Sequence, residues 1–350
     1  MIKNCIVIFM FSSLLISADV AEDLTFLSIP GSARSNSLGN SITSSNGQPN
    51  ALLLSPANIW DDSKYSLSTA TRSLSVSGVN YSNIFYSWKP QIFTKIVDRT
   101  SIGIVIYGVN EIEEYNDEAI FQNHFKYNNT AFLYGISKRT LGIDIGLGLK
   151  YINKSFSMDK YNNNYFGIDL GITLQDFLSI VTNSYFKPDF TISYAMNKVI
   201  PLSNDNQSMT KITLGVSKMV IENYYFQLIN SKLKIKFHSD VSKFNYSPNI
   251  RNRTGIEVKF KYSEIIGIST NWGYNGLVKS IDTLDLDEFK EIDDVWSTGI
   301  FIDLFSNEIK IFNNSSRNLI VNFGKSWKLN NSETIAGSGY LSLNVKWFNN

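Results

Sequence analysis

The 350-residue chain has one cysteine, two histidines and no apolar run long enough to cross a bilayer as a helix. Each scarcity excludes something. Without more thiols than Cys5 there is no disulfide framework, and His124 and His238 alone leave little room for hydrolytic or metal chemistry. No G-x-S-x-G, H-E-x-x-H, P-loop or dinucleotide fingerprint is present, so the reading is non-enzymatic, with no cofactor. The 32 bases against 31 acids, a net charge of +1, lack the basic excess of a nucleic-acid binder. A spanning helix needs roughly 18 consecutive apolar residues. If the chain enters a membrane, it does so as a barrel.

What is present begins with a leader. Lys3 precedes the uncharged, largely apolar run Asn4 to Ala18, which is followed by Asp19, Glu22 and Asp23. That order predicts a secretory signal peptide over 1–18, whose removal also removes Cys5. From Tyr65 onward the hydrophobic pattern has a period of two. Leu141, Ile143, Ile145, Leu147, Leu149 and Tyr151 alternate with Gly142, Asp144, Gly146, Gly148 and Lys150. Phe166, Ile168 and Leu170 alternate with Gly167, Asp169 and Gly171; Leu233, Ile235 and Phe237 with Lys232, Lys234, Lys236 and His238; Leu341, Leu343 and Val345 with Ser342, Asn344 and Lys346. About fourteen such segments are found, within a range of roughly 12 to 16.

Periodicity does not say which face is buried. A sandwich buries the apolar face; a transmembrane barrel turns it to lipid. The polar faces are rich in glycine, serine and charge, as a lumen wall would be. Aromatics stand at strand ends (Tyr65, Tyr107, Tyr127, Tyr151, Tyr165, Tyr262, Trp272, Tyr274, Trp296, Trp347), where interface girdles lie. Tight turns at Ser137 to Thr140 and Tyr262 to Glu264 alternate with long polar loops, while Gln175 to Asp189 and Phe305 to Arg317 read as long connections on the short side. The expectation is an all-β transmembrane antiparallel barrel over 65–350, with residues 19–64, polar and rich in small side chains, as a small hatch inside the lumen.

Three stretches carry a family resemblance. Gly31-Ser32-Ala33-Arg34, Leu38-Gly39 and Ser55-Pro56-Ala57 resemble the hatch of FadL-type outer-membrane barrels, in particular the PorV/PorQ-like branch, where the last motif is Asn-Pro-Ala. Gly167-Ile168-Asp169-Leu170-Gly171, with Asn197 downstream, is similar to that branch's Asp-Leu-Gly strand. Thr254-Gly255-Ile256-Glu257, Ile266-Gly267-Ile268 and Gly273-Tyr274 are similar to its Gly-x-Glu hairpin. The resemblance implies a fourteen-stranded barrel in a bacterial outer membrane. It implies partners that are either secreted-protein C-terminal domains and type IX secretion subunits, or hydrophobic small molecules such as fatty acids.

The candidate site residues follow from the strand faces. Lys232, Lys234, Lys236 and His238 share the inward face with Glu257, Lys259 and Lys261 on the next strand, a basic lumen wall suited to an anionic group of a ligand or cargo. The alternative is that acids such as Glu22, Asp23 and Asp144 neutralise it. His238, Ser239 and Asp240 are consecutive, so they alternate faces and form no relay. Two acidic stretches, Glu111 to Glu118 and Asp282 to Asp294, are expected in external loops; Asp285, Asp287 and Asp293 are weak Ca²⁺ candidates without EF-hand spacing. Handling of exported protein cargo is the leading expectation, uptake of hydrophobic small molecules the alternative, and a structural or adhesive surface role the third. Convergent apolar residues in the lumen would favour uptake. A peptide-wide opening would favour cargo.

Overall fold

The computed structural model describes residues 26–27, 29–73, 79–115, 121–156, 162–177, 190–202, 208–226, 231–245, 250–262, 266–278, 295–310, 316–329 and 339–348. The expected signal peptide lies outside them. Fourteen antiparallel strands form a closed barrel: β1 (Tyr65–Ser73), β2 (Val79–Trp88), β3 (Arg99–Tyr115), β4 (Phe121–Thr140), β5 (Ile143–Phe156), β6 (Asn163–Leu174), β7 (Phe190–Pro201), β8 (Met209–Phe226), β9 (Ser231–Phe244), β10 (Ile250–Lys261), β11 (Ile266–Val278), β12 (Val295–Lys310), β13 (Ser316–Leu329) and β14 (Gly339–Trp347). Each strand pairs with its sequence neighbours, and β14 closes on β1 with Tyr65 opposite Trp347. Closure leaves no edge strand, which a bilayer requires of a sheet. The end where β1 starts and β14 stops is here called the terminal end; the opposite end is the loop end.

Alternation now has a direction. Ile84, Ile104, Leu147, Ile168 and Ile302 point outward and are 36–49% exposed, while Asn83, Asp144, Lys150 and Asp169 point inward and are buried. A wall with apolar residues outside and polar residues inside is built to face lipid. No helix among the described residues is long and apolar enough to cross a membrane.

Four local expectations are corrected. Leu141 is not in a strand: with Gly142 it makes a two-residue turn, both at positive φ (51° and 78°), as a tight hairpin demands. Residues 305–317 are mostly strand, because β12 continues to Lys310 and β13 starts at Ser316; a register shift between Ser306 and Ile309 broke the alternation that would have revealed it. Glu111, Glu113 and Glu114 belong to β3, not to a loop. The β3–β4 hairpin, with strands of 17 and 20 residues, outruns the roughly 9 to 11 residues a bilayer needs and contains two register shifts. Finally, Tyr107, Tyr127 and Tyr165 are not girdle residues. They share the inward face with Val105, Asn129 and Asp169 and belong to the lumen.

Residues 29–64 lie inside the barrel. Helix α1 (Ala33–Ser37) is capped by Ser32, whose side chain accepts from the Ser35 backbone, and two short 3-10 turns follow at Pro49–Leu53 and Pro56–Ile59. This segment runs so close to the wall that side chains are excluded. A Cβ at Gly273 would fall 2.0 Å from the Gly39 nitrogen, at Gly146 2.2 Å from the Ala57 nitrogen and at Gly171 2.4 Å from the Ser55 hydroxyl. Gly135, Gly215, Gly255 and Gly299 likewise face Leu52, Thr43, Leu38 and Ser37. The glycines of the inward strand faces are therefore seats for the segment. Gly39 is required twice: its φ is +64°, ending α1, and its Cβ would meet the Tyr274 backbone at 2.4 Å.

Gly273→Val is expected to unseat the N-terminal segment while leaving the barrel closed. Limited proteolysis should then cut between residues 29 and 64, with the heat-modifiable gel shift retained. Gly339→Val, where the nearest atoms lie 3.8 Å from the added carbon, should change neither readout.

Candidate functional site

The site is assembled around Arg34 on α1. Its Nε and Nη2 donate to Glu257 Oε1 and Oε2 at 2.9 and 2.8 Å, a bidentate pair from the segment to β10, and Nη1 donates to Ser45 Oγ at 3.0 Å. Burial works against the Arg34 charge, and the facing Glu257 carboxylate more than offsets it, so its pKa lies above the ordinary arginine value. Backbone and small polar groups complete the attachment. Asn36 donates to Ser326, Ser297 donates to the Asn36 carbonyl, Asn271 donates to Ser37, the Thr43 backbone donates to Asp240, Asn46 donates to Asp144, and Thr173 donates to Asn58. At the terminal end Arg99 donates to Ser63, Ser66 and Ser87, while Asp61 lies 3.2 Å from both Arg99 and Lys346. Thus Gly31, Arg34, Gly39, Ser55, Pro56 and Ala57 all touch the wall or pack within the segment itself.

Lys232, Lys234, Lys259 and Lys261 lie on the terminal side of the Arg34–Glu257 pair, Lys236 is level with it and His238 is one step toward the loop end. Register places Glu257 opposite Lys236, Lys259 opposite Lys234 and Lys261 opposite Lys232. His238 is fully buried, with Nε2 3.7 Å from Glu257. Lys259 pairs with Asp303, and Lys261 lies 5.1 Å over the Phe305 ring. Among the described residues no ion pair involves Lys232, Lys234 or Lys236. Asp144 is not their counter-ion: it sits on β5, held by Arg139 at 2.5 and 2.7 Å and by Gln175 at 2.7 Å. Glu22 and Asp23 lie outside the described residues, as do Asp285, Asp287 and Asp293. A recess of about 250 Å³ opens beside Arg34, Glu257, Lys259, Asp303, Phe305 and Lys346.

On the loop side the lumen changes character. Tyr81, Val105, Ile152, Tyr165, Val199, Met209, Phe244 and Tyr340 converge there, buried in one apolar cluster with Phe26, Leu27, Leu52 and Leu53 of the N-terminal segment. Tyr81 meets Tyr340 edge-on at 6.4 Å, and Tyr107 packs against Phe26 at 6.2 Å and Tyr127 at 6.1 Å. Cations stand over these rings: Arg72 over Tyr340 at 5.1 Å, Lys211 over Phe244 at 5.5 Å and Lys154 over Tyr127 at 5.8 Å. Deeper in, Lys150 pairs with Asp169 at 2.7 Å, and Asn197 is the cross-strand partner of Asp169. The sequence reading missed this apolar lining. Its only signal was the inward parity of tyrosines that a strand-end position made look like girdle residues.

No protein-family model and no curated protein matches the chain. Among solved structures it resembles the CymD monoaromatic hydrocarbon channel (TM-score 0.50, 9% identity, covering 94% of this chain and 100% of that one). It also resembles a Pseudomonas aeruginosa FadL homologue (TM-score 0.50, 8% identity, covering 91% and 98%). The fold is that of outer-membrane barrels.

Arg34→Ala leaves the part-buried Glu257 without its bidentate partner, which is expected to weaken seating of the segment by about 2 kcal/mol. Hydrogen exchange across residues 29–64 should rise by at least tenfold, and the charge swap Arg34→Glu with Glu257→Arg should recover part of the loss.

Proposed function

We propose that the protein is a non-enzymatic outer-membrane channel for hydrophobic small molecules that carry an anionic group, with the N-terminal segment as its gate. The observation that supports this most directly is the aromatic and aliphatic lining of the loop-end lumen, overlaid by Arg72, Lys154 and Lys211. A water-filled pore for polar solutes has no use for it. Concave apolar surface with a few convergent polar groups is the usual chemistry of a small-molecule site. The likeness to a hydrocarbon channel and a FadL homologue agrees with this reading, whereas nothing beyond the sequence resemblance supports the secretion reading. Ligand would enter at the loop end, rest among the tyrosines with its anion near a cation, and leave past a displaced segment toward Lys232, Lys234, Lys236, Lys259 and Lys261. Those lysines would draw the anion to the terminal, periplasmic mouth.

Calorimetry of the detergent-purified protein with a long-chain fatty acid tests the first half. Tyr107→Asp is expected to weaken binding at least tenfold, about 1.4 kcal/mol, with the heat-modifiable shift as the check on folding; no binding heat for the unaltered chain would refute the proposal. For the second half, the Lys234→Glu, Lys236→Glu double variant should slow transfer of a fatty acid into the vesicle lumen. The same variant should leave transfer of the corresponding fatty alcohol unchanged.

A further inference from the structure

The connection between β2 and β3, residues 89–98, folds back over the outside of the barrel at the terminal end. Thr100 points outward on β3 yet is only 5% exposed, whereas its outward neighbours Ile102 and Ile104 are 46% and 36% exposed. Between this roof and the wall lies a groove of about 490 Å³, lined by Tyr65, Trp88, Ile92, Phe93, Tyr134 and Ile136 among others. The roof is fixed in place. Lys138 pairs with Asp98 at 2.7 Å and donates to the Thr94 carbonyl at 3.2 Å, the Arg139 backbone donates to Asp98, and the Ile96 and Val97 amides both bond to the Phe93 carbonyl. Its apolar side chains are nevertheless largely exposed: Ile92, Phe93 and Ile96 are 71%, 72% and 68% exposed, and Leu141 on the adjacent turn is 89% exposed.

Lys89 and Lys95 flank these residues in the chain, Lys89 donating to the Asp62 carbonyl at 2.8 Å and Lys64 standing 5.2 Å over Tyr65, so the segment is amphipathic, and the groove is continuous with the lipid-facing wall and its stacked Tyr65, Tyr86 and Trp88. Large apolar groups flanked by bases, at the level of an aromatic girdle, suit the boundary between acyl chains and headgroups. We infer that this groove binds one phospholipid of the leaflet at the terminal end, its acyl chain between roof and wall and its phosphate near Lys89 and Lys95. The inference rests on the chain lying in a membrane, as proposed above, but not on what the lumen carries.

The test uses the full chain with Cys5→Ser, which supplies a cysteine-free background. Nitroxide labels at Ile92→Cys, Phe93→Cys, Ile96→Cys, Lys95→Cys and, as membrane control, Ile104→Cys are read in vesicles of phosphatidylethanolamine and phosphatidylglycerol. Collision with oxygen should dominate at 92, 93 and 96 as it does at 104, and collision with a water-soluble nickel chelate should dominate at 95. A label at 104 shielded from nickel while 92, 93 and 96 are as open as 95 overturns the lipid site without touching the barrel. A label at 104 open to nickel overturns the membrane reading itself. Native mass spectrometry then addresses the groove: the Ile92→Ser, Phe93→Ser double variant should retain at least fivefold less phospholipid than the unaltered protein, and equal retention would refute the site.

Discussion

The approach of the N-terminal backbone to the barrel wall is the constraint on which the structure depends. At Gly146, Gly171 and Gly273 that approach leaves no room for a β-carbon, so small inward residues had to be kept at these seats on strands that otherwise prefer larger ones. The Arg34–Glu257 pair fixes the segment's position along the barrel axis, and the glycine contacts fix its depth. Without both, the inward serines, asparagines and aspartates that bond to the segment would face an empty lumen.

Seating the segment at mid-height divides the lumen into two chemically unlike parts. Toward the loop end the inward positions carry tyrosines and aliphatic groups in contact with Phe26, Leu52 and Leu53, with Arg72, Lys154 and Lys211 over the rings; toward the terminal end β9 and β10 carry a run of lysines. Elsewhere on the lumen wall large rings are accommodated by lying on cross-strand glycines, as Phe85 does on Gly103 and Phe301 on Gly324. Inward aromatic bulk is thus tolerated wherever a small partner faces it.

Much of this was legible in the sequence. Period-two alternation gave the strand number and the inward face of Lys232, Lys234, Lys236 and Lys259, because parity survives as long as the register does. It failed where register shifts, as between Ser306 and Ile309 and in the β3–β4 hairpin. Short motifs identified Arg34, Gly39, Glu257 and Gly273 without showing that they are each other's partners; separations of 223 residues, as between Arg34 and Glu257, leave no local trace. The tyrosine lining was misread because position along a strand was given more weight than parity. Asp144 was misassigned as a counter-ion because charge alone does not say which strand an acid occupies.

Closure of β1 on β14 also bears on how the molecule is made. The segment bonds to strands all round the ring, from Asn83 on β2 to Ser326 on β13, and the ring has no gap through which a chain could slip sideways. Once the β1–β14 seam is zipped, residues 29–64 can reach their glycine seats only by threading through an end. Assembly in which the segment serves as a mandrel, with the strands wrapping around it and the seam forming last, avoids that threading. Such long-range contacts place the protein among slow folders, and a chain whose seam closes early would be a well-formed barrel with its interior permanently misfilled.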